Sequence, residues 1–130
     1  MELIMKKKIF AIDDEHSIRF IIENTFKKDF EVVSFQNGEL ALKSMQTGAI
    51  PDLIICDIMM PVLDGYGVLH LLNKNETLKD IPFVFLTAKT MKEDEIKGLK
   101  LGAVDYVYKP FNLVSLKLKI SKLSALRFQV

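Results

Sequence analysis

A single cysteine, Cys56, is all the chain has, so no internal disulfide is possible and a reducing compartment is its natural home. No apolar stretch approaches the roughly 20 residues needed to span a bilayer. The opening MELIMKKKIF puts its lysines after the first apolar residues, the wrong order for a secretory signal. A cytoplasmic protein without a membrane partner is expected, with Met5 as a second possible start. A basic excess is also missing, because 18 Lys and Arg against 17 Asp and Glu leave a net charge of +1. A dedicated nucleic-acid surface usually needs more than that. Direct nucleic-acid binding is therefore not expected, although MKKK and KLKISK are locally basic. There is no Pro/Ser/Gly linker, low-complexity tract or internal repeat. One domain over 1–130 is expected, with its folded core at roughly 6–126 and no effector domain attached.

What is present is apolar and ordered. At 49% hydrophobic and 27% charged, 130 residues suffice for one globular domain with a proper core. KIFAID (8–13), EVVSF (31–35), DLIICD (52–57), PFVFLT (82–87) and VDYVYK (104–109) read as strands. Three of them are nearly continuous in Ile, Val, Leu and Phe, as parallel strands covered on both faces should be. Helical patterns lie between them. SIRFIIENTFKK places Ile18, Ile21, Ile22, Thr25 and Phe26 on one face. GELALKSMQTG carries Leu40, Ala41 and Met45 and closes on Gly48, while KEDEIKGLKLGA closes on Gly102, both expected left-handed caps. DGYGVLHLLNK presents Val68, Leu69 and Leu72, with Gly65 and Gly67 expected to keep its first turn loose. The last pattern repeats Leu113, Leu116, Ile120, Leu123 and Leu126. Five strand–helix pairs in strict alternation predict an α/β fold: a doubly wound, five-stranded parallel sheet with helices on both faces.

Ligands of such sheets bind outside the carboxyl ends of the strands. Those ends carry Asp13 and Asp14, Asp57, Thr87, and Lys109 before Pro110. Each has an ordinary explanation alone: an Asp after a strand is usually a cap or turn former, and a Thr there a β-branched strand residue. Their convergence on one edge calls for another. Three clustered carboxylates repel one another unless a cation joins them, and hard oxygen ligands suit Mg²⁺. His16 and His70 lack the spacing of a softer metal site. A carboxylate is also a possible nucleophile toward phosphorus, and a metal, a lysine and a hydroxyl are the groups that phosphoryl transfer needs.

DDE after the first strand, CDIMMPVLDG after the third, LTA after the fourth and YKPF after the fifth resemble the receiver (REC, CheY-like) domain of bacterial two-component response regulators. The likeness covers essentially the whole chain, in order, and implies a flavodoxin-like (βα)5 fold. It implies Asp57 as phosphoacceptor and Asp14 as direct metal ligand, with Asp13 acting through metal-bound water. It also implies the backbone carbonyl of Met59 as a further ligand, and Mg²⁺ as the cofactor, with Mn²⁺ as a substitute. Thr87, the backbone of Ala88, and Lys109 would hold the phosphoryl group. Tyr106 would be the aromatic whose rotamer reports activation. Pro61 and Gly65 match the turn after the third strand, and Pro110 a residue that often follows a cis peptide bond.

Met59 and Lys89 flank the expected path of water and would tune the phosphoryl lifetime, the apolar bulk of Met59 lengthening it. Cys56 is expected simply to pack, and KEDE (92–95) to begin a solvated helix. Lys97, Lys100, Tyr106, Lys117 and Lys119 would lie near a signalling face formed by the fourth helix, fifth strand and fifth helix. Partners implied are a sensor histidine kinase or phosphotransfer protein and a downstream effector, with the chain a monomer or a phosphorylation-dependent homodimer. It would catalyse its own phosphorylation and slow dephosphorylation, without turning over an external substrate. Two alternatives stand beside this: a pseudo-receiver that docks without phosphorylation, and a haloacid-dehalogenase-type phosphatase. The second needs an acid two residues after its nucleophile, where this chain has Met59.

Overall fold

Parallel strands buried on both faces need a helix at every crossover, and the computed structural model, which describes residues 6–88 and 92–127, has that order. It runs β1 (Lys7–Ile12), α1 (His16–Phe26), β2 (Phe30–Phe35), α2 (Gly38–Gln46), β3 (Leu53–Asp57), α3 (Gly65–Asn73), β4 (Phe83–Thr87), α4 (Lys92–Lys100), β5 (Asp105–Tyr108) and α5 (Leu113–Arg127). All strands are parallel in the order β2-β1-β3-β4-β5. Strand order reverses at β1, so the crevice beyond the tips of β1 and β3 is the switch point. None of the described helices is long and apolar enough to cross a membrane.

The two-residue period of the strands divides the core into two layers. Phe10, Ile12, Ile54, Cys56, Phe83 and Phe85 face α2 and α3 through Ala41, Met45, Val68 and Leu72. Ile9, Ala11, Ile55, Val84 and Leu86 face α1 and α5 through Ile22, Phe26, Leu116 and Ile120. Fully burying one such large side chain stabilises the fold by roughly 1.5–3 kcal/mol. The central strands β3 and β4 are buried at every position. Their tips are therefore held rigidly.

Local chemistry starts and stops the helices. Asn37 Oδ1 accepts from Leu40 N at 2.9 Å and Asp64 Oδ1 from Gly67 N at 2.8 Å, capping α2 and α3. Gly48 and Gly102 take positive φ after α2 and α4, as expected. Other expectations fail. Ile21, Leu40 and Leu113 are exposed, because α1, α2 and α5 each seat a narrower seam on the sheet than their apolar stripes suggest. The first turn of α3 is not loose: Asp64 caps it, and Gly65 N donates to Ile58 O at 2.9 Å. Gly65 is there for space, since a methyl group on it would overlap the backbone carbonyl of Asp57. Tyr106, assigned to a partner-facing surface, is buried. Lys89 and the side chains of KEDE and Leu126 lie outside the described residues.

Candidate functional site

Register brings the acidic residues together. Ile12 pairs with Cys56 across β1 and β3, so Asp13 and Asp57 follow side by side at the edge. Thr87 pairs with Tyr108, and Lys109 N donates to Thr87 O at 2.8 Å, which brings Lys109 to the same edge from β5. Asp13 is 0%, Asp57 4% and Thr87 1% exposed, and these three are the buried polar residues among those described. Asp14, one residue further out, is exposed.

Lys109 holds the cluster. Its Nζ lies 2.9 Å from Asp13 Oδ2, 3.5 Å from Asp57 Oδ1 and 3.7 Å from Glu15 Oε1. Asp13 Oδ1 accepts from Glu15 N at 2.9 Å, and Arg19 Nη1 donates to the Asp13 carbonyl at 2.7 Å. Sequence reasoning quoted Glu15 within DDE but gave it no role, and missed Arg19. The spacing Asp13–Glu15, an Asp accepting from the amide two residues on, was the available signal for the first. The Lys109–Pro110 peptide bond is cis.

Electrostatics follow from burial and crowding. Burial raises the Asp57 pKa from 3.8 to about 6; the Asp13 charge adds to this, against Lys109 and the Met59 backbone amide. Burial also raises Asp13, opposed by the Glu15 amide and Lys109. For Lys109 burial works downward, but the hydrogen bond to Asp13 and the surrounding carboxylates outweigh it and raise its pKa. Burial pushes the Cys56 thiol well up, and the neighbouring carboxylates add to that, so Cys56 packs rather than reacts. One cation thus serves three carboxylates, and the edge has an excess of negative charge.

Carboxylate oxygens of Asp13, Asp14 and Asp57 all lie within 4.8 Å of one another. Hard oxygen donors at that spacing, with negative charge to spare, fit a small divalent cation. A cavity of about 290 Å³ opens beside Asp14, lined by Gln36, Asn37, Glu39, Pro61, Val62 and Leu63. The backbone of Met59 donates to Asp57 while its side chain is exposed. Ala88, after Thr87, is also exposed. All the expected site residues within the described part therefore meet around one edge, apart from Tyr106, which lies inward beneath α4.

The family model described as "Response regulator receiver domain" matches residues 9–121. A probable transcriptional regulator, ycf27, of Cyanophora paradoxa is 47% identical over 92% of this chain and 49% of its own length. The alkaline phosphatase synthesis transcriptional regulatory protein PhoP of Bacillus subtilis is 41% identical over 83% of this chain and 44% of its own. The chain thus spans about half the length of the curated relatives it matches. Among solved structures, the chemotaxis response regulator CheY4 of Vibrio cholerae superposes with a TM-score of 0.85 at 31% identity, covering 92% of this chain and 99% of that one.

Proposed function

We infer the function from one premise: this chain belongs to the response regulator receiver domain family, whose standard function is phosphorylation-dependent signalling. Asp57 is the phosphoacceptor. The observation that carries this is a buried carboxylate at a rigid strand tip, 3.5 Å from a lysine and within 4.8 Å of two further carboxylates. An Asp57 oxygen bonds to phosphorus as the P–N bond of a phosphohistidine breaks and its electron pair returns to the imidazole. The donor is a sensor histidine kinase or phosphotransfer protein.

Asp14, Asp57 and the Met59 carbonyl would hold Mg²⁺ directly, and Asp13 through water, with Mn²⁺ able to replace it. When bound, the ion supplies positive charge that offsets the carboxylates and the phosphoryl oxygens. Thr87, the Ala88 amide and Lys109 stabilise the transferred group, for which Lys109 exchanges part of its contact with Asp13. Met59 beside the nucleophile hinders attack by water and lengthens the phosphoryl lifetime. The phosphorylated domain then controls an effector through α4, β5 and α5.

Intact mass after incubation with Mg²⁺ and a small-molecule phosphodonor tests the reading. The parent gains one phosphoryl group, and Asp57→Asn gains none. No gain in the parent would transfer support to a docking module that works without phosphorylation.

A further inference from the structure

Arg19 stands in the first turn of α1, where the helix dipole offers a cation no advantage. Asp13, Asp14 and Glu15 precede it closely in the chain, yet among the described residues it forms no ion pair. It is half-buried, and its Nη1 donates instead to the main-chain oxygen of Asp13 at 2.7 Å. A charged donor makes this a strong hydrogen bond.

Asp13 is anchored at every polar group. Its N–H donates to Phe35 O at 3.1 Å, its Oδ1 accepts from Glu15 N at 2.9 Å, and its Oδ2 meets Lys109 Nζ at 2.9 Å. The carbonyl held by Arg19 completes the set. Because a peptide unit is planar, a fixed Asp13 oxygen also fixes the N–H and Cα of Asp14. Asp14 is exposed, and among the described residues no hydrogen bond or ion pair holds its carboxylate. Its oxygen nevertheless lies within 4.8 Å of those of Asp13 and Asp57. The main chain sets that aim, and Arg19 steadies the main chain there.

Divalent ions differ in how much misplacement of a ligand they tolerate. Mg²⁺ requires near-octahedral ligands at about 2.0–2.1 Å, whereas Ca²⁺ accepts about 2.3–2.6 Å and irregular geometry. We propose that Arg19 is a positioning residue that biases the acidic edge toward Mg²⁺ over Ca²⁺, by holding the Asp13–Asp14 peptide so that the Asp14 carboxylate stays aimed at the ion. The bias rests on the reading of Asp14 as a direct ligand, whereas the hold on the peptide does not. The sign of the effect separates positioning from charge. A guanidinium near a cation site repels the ion, so its removal would strengthen binding of both ions if charge alone mattered. Loss of a positioning group weakens binding, and most for the ion that tolerates least.

The test uses the full chain, as parent and as Arg19→Met, and follows backbone amides by NMR. In EDTA the order parameter of the Asp14 amide falls from roughly 0.85 in the parent toward 0.6 in the variant, while β1 and β3 stay rigid. Titration with Mg²⁺ alone and with Ca²⁺ alone reports the edge. Mg²⁺ affinity falls about tenfold in the variant, as loss of outer-shell support commonly causes, and Ca²⁺ affinity by less than about threefold. Unchanged or stronger Mg²⁺ binding, an equal loss for both ions, or an Asp14 amide as rigid as the parent's would overturn the proposal. Should Arg19→Met not fold, Arg19→Lys, which keeps the charge on a shorter stem without the planar fork, is read by the same outcomes. A parent that binds neither ion would refute the ligand reading of Asp14 and with it the bias, and the order of the Asp14 amide would still decide the hold on the peptide.

Discussion

Asp57→Asn should make the metal-free protein more stable at neutral pH, although it removes the residue proposed as phosphoacceptor. Burial, with the neighbouring Asp13 charge, raises the Asp57 pKa from 3.8 to about 6. A carboxyl whose pKa is higher folded than unfolded binds more protons in the folded state between those values. Stability therefore falls as pH rises from about 4 to about 6, and stays lowered above that. At about 1.4 kcal/mol per pKa unit, the whole interval corresponds to about 3 kcal/mol. Asparagine keeps the shape without the charge, but gives up the attraction to Lys109, so a gain of roughly 1–3 kcal/mol is expected.

Urea unfolding in EDTA, for both proteins from pH 4 to 7.5, measures this. The difference between the two curves isolates Asp57 from other titrating groups. It should be near zero or slightly unfavourable to the variant at pH 4, and grow in its favour until about pH 6.5. Saturating Mg²⁺ should reverse the order, stabilising the parent by about 2.7 kcal/mol at a hundredfold excess over Kd and the variant much less. A difference independent of pH, or a variant less stable than the parent at pH 7 in EDTA, would show that the charge of Asp57 is not held at a cost in the folded state.

Three further outcomes follow from the same geometry. Lys109→Met leaves Asp13 and Asp57 without their shared cation; it should lower metal-free stability at pH 7 by about 3 kcal/mol, measured by urea unfolding. Val62 is 93% exposed with φ of 70°, so Val62→Asn should raise stability by about 1 kcal/mol, seen as a higher Tm. Met59→Asn replaces an exposed apolar side chain two residues after Asp57, the proposed phosphoacceptor, and should speed loss of the phosphoryl group several-fold, followed by intact mass over time. Equal decay in the two proteins would remove Met59 from the control of lifetime.

The architecture was legible because parallel strands covered on both faces must be apolar throughout, and polar residues then mark where they end. Asp13, Asp14, Asp57, Thr87 and Lys109 were found in that way: in this topology a position just after a strand is a position on one edge. The helix stripes were less legible. Periodicity identifies an apolar face, but its buried width depends on what packs there, which is why Ile21 and Leu40 proved exposed.

Other features belong to distance in space alone. The contact of Lys109 with Asp13 joins residues 96 positions apart, and it outranks the longer contact with Asp57 by geometry, not by residue type. The raised pKa of Asp57 comes first from burial, with the second carboxylate adding to it. Gly65 and Gly98 look in the sequence like weak points of their helices. In the fold each is a place where a ring stands against backbone and leaves no room for a carbon. The sequence alone determined the order of elements and the inventory of the edge, since both follow from local pattern. Which groups pair, which carboxyl resists charging and where Tyr106 rests were decided only by the tertiary structure, because each depends on atoms that meet only when the chain is folded.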